Sequence, residues 1–302
     1  MSRRIRYWPL LLTFAGCGDP IKRVELIEEP RVLGARAEVM GDPTRATPRP
    51  GETLQVRWLV AAPEGDPVSG FALRACSTPR ESRGLLRCDS PPFASEVSDA
   101  VSENPRFDFR LPADLEPLAH PRIGILGSLC AHGSGRIAGD SLGCGAGFEL
   151  PVSLDLFLDD GELRNSNPSF GADPIELDEG LWVAEALGSG ACSGLGLPEV
   201  SASGGQHQIS IVIPDSAREP LLQRNAADPS RESLRVAHFA SAGELERPFS
   251  EILPDASEAL VSLSWQPPKT APAEGQLVRF WFVLRDLRGG SDFVERALCL
   301  LP

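Results

Sequence analysis

"RFDFRL", residues 106–111, places Phe107, Phe109 and Leu111 on one side of an extended chain and Arg106, Asp108 and Arg110 on the other. Side chains alternate across a strand with a period of two, whereas a helix returns its apolar stripe every three or four positions. Six residues of this kind therefore predict a half-buried strand.

The same alternation recurs on both sides of it. "GETLQVRWLV" (51–60) aligns Leu54, Val56, Trp58 and Val60, and "LPVSLDLFL" (150–158) aligns Leu150, Val152, Leu154, Leu156 and Leu158. "QISIVI" (208–213) and "LVSLSW" (260–265) do the same with Ile209, Ile211 and Ile213, and with Val261, Leu263 and Trp265. Between these runs lie clusters of Pro, Gly, Asp and Ser, such as "GDPTRATPRPGE" (41–52), "APEGDP" (62–67) and "WQPPKTAPAEG" (265–275). Punctuation at that interval leaves no room for long helices. The expectation is an all-β chain of two immunoglobulin- or fibronectin-like β-sandwiches in tandem, over residues 31–160 and 181–302. Residues 161–180, within "DDGELRNSNPSFGADPIELDEG", hold few apolar side chains and read as an acidic linker. A faint internal repeat supports two similar units. "HPRIGILGSLCAHG" followed by "GFELPVSLDLF" matches "QLVRFWFVLRDLRGG" followed by "SDFVERALCL" as strand, turn, strand near the end of each.

The amino terminus reads as a processed segment. Arg3, Arg4 and Arg6 precede about ten mostly apolar residues, which is half of what a membrane span needs and the length of a signal-peptide core. "FAGC" (14–17) resembles the lipobox of bacterial lipoproteins, with Phe14 standing where leucine is usual. That resemblance makes residues 1–16 a signal peptide, Cys17 the acylated first residue and residues 17–30 a tether. Two or three acyl chains anchor stably because each buried CH₂ contributes about 0.8 kcal/mol. Gly18, in place of aspartate, gives no signal for retention in the inner membrane under the sorting rule of enteric bacteria, and the expectation is an outer-membrane lipoprotein.

With Cys17 assigned to lipid, Cys76, Cys88, Cys130, Cys144, Cys192 and Cys299 remain, an even number that in an exported chain implies disulfides. Sequence alone allows fifteen pairings. Proximity and unit membership rank Cys76 with Cys88, Cys130 with Cys144, and Cys192 with Cys299. No two of these cysteines have the close spacing of zinc ligands.

Removing residues 1–16 takes away three arginines and no acid, moving the formal net charge from −13 to −16. So acidic a surface disfavours nucleic acid as a partner. The only tyrosine, Tyr7, lies in the leader, and Trp58, Trp182, Trp265 and Trp281 each sit in or beside an apolar strand pattern, where core packing is the reading. His120, His132, His207 and His238 are scattered without paired spacing, and no nucleophile elbow, zinc-protease or phosphate-loop motif occurs. "GSGACSG" (188–194) lacks the lysine of a phosphate loop and reads as a disulfide-tethered loop. One constellation admits chemistry. Asp159, Asp160, Glu162, Asp173, Glu176, Asp178 and Glu179 crowd the inter-unit segment, where clustered carboxylates could hold calcium or simply be solvated.

"VLGARAEVMGDPTRATPRPGETLQVRWLVAAP", "NSNPSF" and "VRFWFVLRDLRGGSDFVERALCL" resemble predicted lipoproteins abundant in myxobacteria. The resemblance implies paired immunoglobulin-like units in the cell envelope and brings no activity, cofactor or catalytic residue with it. Three readings of function stay open. The first is a non-enzymatic outer-membrane lipoprotein, facing periplasm or cell surface, that touches the membrane through its acyl chains and an envelope protein partner. The others are a binding module for a secreted protein or glycan, and an enzyme of unfamiliar type.

Overall fold

The computed structural model describes residues 23–63, 68–79, 86–102, 104–115, 122–159, 161, 164–172, 175–182, 192, 195–221 and 230–302. The leader, Cys17, His120, Asp160, Glu162 and Asp173 lie outside these residues.

The first unit contains β1 (Arg31–Val39), β2 (Thr53–Ala61), β3 (Val68–Ser77), β4 (Ala94–Ser98) and β5 (Arg106–Arg110). It continues with β6 (Arg122–Ala131), β7 (Gly135–Ala138), β8 (Ser141–Cys144) and β9 (Phe148–Phe157). One sheet runs β1-β2-β5, the facing sheet runs β4-β3-β6-β9, and β7 and β8 form a separate hairpin. "RFDFRL" is β5 and its exit, with Phe107 and Leu111 1% exposed and Phe109 5%. These side chains pack with Leu54, Val56, Trp58, Leu73, Ile123, Ile125 and Leu156 between the two sheets.

The second unit begins with β10 (Ile175–Leu177), β11 (Gly180–Leu181), β12 (Glu199–Ser201), β13 (His207–Val212), β14 (Pro220–Leu221) and β15 (Ser230–Arg231). It ends with β16 (Leu234–Ala240), β17 (Glu244–Leu245), β18 (Phe249–Ile252), β19 (Leu260–Gln266), β20 (Gln276–Arg285) and β21 (Ser291–Leu301). Its sheets run β11-β10-β13-β19-β17 and β12-β21-β20-β16-β18. Stripped of short additions, both units follow one plan. The first, second and fifth principal strands pair in one sheet, and the fourth, third, sixth and seventh in the other. The repeat legible in the sequence is the hairpin of the last two strands, β6–β9 and β20–β21, paired antiparallel in each unit. In the second core, Trp182 and Trp265 meet Phe280 edge to face at centroid distances of 5.0 and 5.1 Å, a favoured aromatic geometry.

Three disulfides join Cys76 to Cys88, Cys130 to Cys144 and Cys192 to Cys299, with Cα separations of 5.6, 5.7 and 5.4 Å. They are the three pairs that proximity ranks first. Such bonds persist in oxidising compartments outside the cytoplasm. Among the described residues no helix is long and apolar enough to cross a membrane.

The segments read as connectors belong to the fold. Ile175–Leu177 of the presumed linker is β10, paired with β13, and Phe170, Ile175 and Leu177 are buried in the second core. Apolar residues separated by polar ones over so short a run do not register as a strand, yet each finds a sheet to cover it. The presumed tether is docked as well. Leu26 bridges Ala240 of β16, Ile27 N–H donates to Ala240 O, and Ile27 is buried. The chain thus crosses the second unit before it enters the first.

Candidate functional site

"VRFWFVL", residues 278–284, breaks the alternation because β20 is covered on both faces. Phe280, Phe282 and Leu284 point into the core of the second unit. Trp281 and Val283 point the other way, against Leu33, Leu59 and Ala61 of the first unit, Ile27, and Ala237 of β16. A strand with both faces buried reads as a continuous apolar run. Burying such side chains contributes about 1.5 to 3 kcal/mol each, so this third cluster joins the two units by the force that builds each core. Gly34 sits at an irregularity of β1 where β20 comes close. A Cβ there would lie 3.1 Å from Val283 Cγ1 and 3.7 Å from Arg285 Nη2.

Beside this apolar seam runs a buried polar one. Asn167 Nδ2 donates to Ala37 O (2.7 Å), its Oδ1 accepts from Ser291 N–H (3.1 Å), and its own N–H donates to Thr44 O (2.6 Å). Asn165 Nδ2 donates to Asp286 Oδ2 (2.7 Å), and Asn165 O accepts from Ala46 N–H (2.9 Å). "NSNPSF" is therefore a clasp. Its two amides hold the β20–β21 turn of the second unit against β1 and the β1–β2 loop of the first. Arg36 adds an ion pair to Asp292 (3.1 Å) and donates to Ser291 O (2.9 Å), and the Arg57 guanidinium lies 5.7 Å from the Phe293 ring centroid. The turn is built for the fit. Asp286 caps it by accepting from Arg288 N–H (2.7 Å) and Gly290 N–H (2.9 Å), and a Cβ at Gly290 would fall 2.3 Å from Asp286 Oδ2 and 2.7 Å from Ser166 O.

A carboxylate group adjoins the turn. Arg288 Nη1 lies 3.2 Å from Glu219 Oε2 and 3.4 Å from Glu232 Oε2, and Arg288 Nη2 donates to Arg164 O (3.0 Å). Glu232 is 1% exposed. Burial first, and then the charges of Asp286 and Glu219, push its carboxyl up to about 7, while Glu219 N–H and Arg288 oppose that rise. Burial likewise raises Asp286, against the hydrogen bonds it accepts. One guanidinium is shared by the buried Glu232 and the half-buried Glu219.

A cleft of about 370 Å³ opens next to the seam. Its walls are β1 from Val32 to Ala35, β9 from Pro151 to Leu154, and Arg285 with the turn that follows it. Arg285 is largely buried, and desolvation lowers the pKa of its guanidinium. It donates to Leu33 O (2.5 Å) and has no carboxylate partner among the described residues.

The acidic candidates that lie among the described residues do not form one cluster. Asp159 is 3% exposed, meets Arg49 Nε at 2.9 Å and accepts from Gly161 N–H (2.8 Å). Asp178 lies in the β10–β11 turn and accepts from Gln208 N–H (2.8 Å). It also meets His207 Nδ1 at 2.6 Å, and despite partial desolvation its hydrogen bonds with His207 and Gln208 keep its carboxyl below the ordinary range. Asp159 and Asp178 thus neutralise neighbours within separate units, and Glu176 and Glu179 lie on the second unit with Asp178. Among the described residues no three histidine, cysteine or acidic side chains converge as metal ligands. His132 is exposed at a turn with φ of 60°. His238 is fully buried in β16, with Nδ1 3.2 Å from Arg247 O, and burial lowers its pKa to about 4. All four tryptophans of the two units are buried, as their strand positions predict.

No family model and no curated protein matches the sequence. Among solved structures, an alpha-2-macroglobulin from Salmonella aligns with 13% identity over 89% of this chain at a TM-score of 0.25. A glycosyl hydrolase family 2 member from Bacteroides cellulosilyticus aligns with 9% identity over 89% of this chain at a TM-score of 0.21. This chain spans 15% and 29% of those proteins, respectively. Likeness at that level transfers neither substrate nor activity.

Proposed function

We propose that this chain is a lipid-anchored envelope protein whose two β units work as one stiff interaction body. The carrying observation is the expenditure of buried polar groups. Asn165, Asn167 and Asp286 direct their hydrogen bonds across the junction or into the turn that makes it, which is the use of polarity that fixes one geometry. Anchoring through Cys17 agrees with the disulfides and with the path of the chain after it. Six residues span at most ~20 Å, so an acyl group on Cys17 keeps Arg23, paired with Glu244, and hence the second unit close to the bilayer. The first unit is then the part held further out.

The test is mass spectrometry and crosslinking on a tagged full chain in intact cells. The expected result is a membrane-extracted species beginning at acylated Cys17, loss of membrane fractionation in Cys17→Ser, and a reproducible crosslinked envelope protein. A chain with an unmodified amino terminus that stays soluble would refute the anchor. Crosslinks to bulk envelope protein alone would refute the partner.

A further inference from the structure

We propose that the cleft between β1, β9 and the β20–β21 turn receives an extended segment of a partner protein, which adds to the open flank of β9 and places a carboxylate on Arg285. The proposal rests on the interaction reading above and gives that partner a chemistry.

The two units differ where their plan predicts likeness. In the second, the outer flank of the last strand is closed by the chain itself. β12 pairs in parallel with β21 over Cys299–Leu301, and the Trp182 indole donates to Ala297 O (2.8 Å). In the first, β9 has only β6 as a ladder partner among the described residues, and Pro151–Leu154 line the cleft. Pro151 has no N–H to give β6, so residues of its parity turn their amides outward. Asp159, of that parity, gives its N–H to Pro48 O (2.9 Å). Ser153 therefore presents both N–H and C=O to the cleft, with Pro151 offering a further C=O. An unpaired strand edge is a template for an added strand, and main-chain hydrogen bonds give such binding its affinity.

Charge selects the occupant. Arg285 satisfies one of its N–H groups on Leu33 O and is matched by no acid among the described residues, although the chain is strongly acidic overall. A guanidinium held against the cleft wall is pre-organised for a carboxylate, by a charge-assisted pair stronger than a neutral hydrogen bond. The segment before Arg23 is a poor match, since residues 1–16 carry three arginines and no acid and residues 17–22 balance Asp19 with Lys22.

The test is selection of random decapeptides, displayed on phage, against the full mature chain. Enriched sequences are expected to share an Asp or Glu at one register. The corresponding Gln peptides should bind at least tenfold more weakly, a change that leaves the protein untouched. Arg285→Gln should reproduce that loss, Arg285→Lys should recover part of it, and Ser153→Pro, which removes an outward N–H where Pro151 shows proline is tolerated, should abolish binding. No enrichment, no acidic preference, or binding indifferent to both the peptide charge and Ser153→Pro would overturn the proposal. So would enriched sequences matching this chain's own strands, which would make the occupant a second copy. If crosslinking still captures an envelope protein while selection fails, the interaction role stands and only the cleft is wrong.

Discussion

Truncating Asn167 to alanine should loosen the two units from each other before it unfolds either. The Asn167 side chain satisfies Ala37 O on the first unit and Ser291 N–H on the second, and the residue is 8% exposed. A buried unsatisfied group costs about 1 to 3 kcal/mol, so losing both partners predicts about 2 to 6 kcal/mol. Asn167→Asp should cost as much as Asn167→Ala. It keeps an acceptor for Ser291 N–H but replaces the donor with an oxygen aimed at Ala37 O. The assay is urea unfolding followed by tryptophan fluorescence and by amide hydrogen exchange. Trp281 reports on the seam, whereas Trp58 and Trp265 report on the separate cores. Protection around Ser291 and β1 should fall first, and the single transition should split. A loss under about 0.5 kcal/mol, the range of an indifferent surface change, would refute the clasp, as would equal loss of protection throughout both cores.

Other parts of the seam and the cores yield further expectations. Gly290→Ala should destabilise by roughly 1 to 3 kcal/mol in thermal melts, because its Cβ would meet Asp286 Oδ2 at 2.3 Å and Ser166 O at 2.7 Å. Glu232, raised to about 7, stabilises the fold only while protonated. Stability should therefore be full below the unfolded value of 4.5, fall by about 3 kcal/mol as pH rises from there through 7, and lose that slope in Glu232→Gln. His238, lowered to about 4, must stay neutral in the core. Stability should fall by about 3 kcal/mol as pH drops from the unfolded value of 6.5 through 4, a slope that His238→Gln should remove. Removing the Cys192–Cys299 bond, with a sequence separation of 107, should cost about 4 to 5 kcal/mol, against about 3 for the bond separated by 12. Equal losses in denaturant titrations would count against a chain-entropy origin.

How far the sequence discloses this molecule depends on which physical signal each part carries. Strands with one wet face announce themselves, since water enforces the alternation seen in Phe107–Phe109–Leu111 and Ile209–Ile211–Ile213. The disulfide pairs are legible because short loops and unit membership leave little freedom. The seam is harder to see. Its hydrogen bonds join residues such as Asn167 and Ser291, far apart in the chain, and the residues that make them are Asn, Ser, Gly and Asp, the composition of any loop. One mark was present all the same. "VRFWFVL" is too continuously apolar for a strand with a solvated face, so it announces a second covered side, whereas "NSNPSF" has the composition of an ordinary loop.

The acidic stretch misleads for the converse reason. Carboxylates clustered in sequence point to a shared ligand only if the chain brings them together, and among the described residues the boundary between units divides Asp159 from Glu176, Asp178 and Glu179. Asp159 turns to Arg49 in the first unit and Asp178 to His207 in the second. The acids that do converge, Glu219, Glu232 and Asp286 around Arg288, come from three separate stretches, and no local count of charge could have found them. The same logic governs the cleft. Arg285 carries weight not by its place in a motif but because it is paired with no described carboxylate while the outer flank of β9 beside it has no strand partner among the described residues. What distinguishes the two similar units among the described residues is therefore the outer flank of their last strands, covered over Cys299–Leu301 in the second and without a paired strand in the first, and that difference is why we propose recognition at the junction.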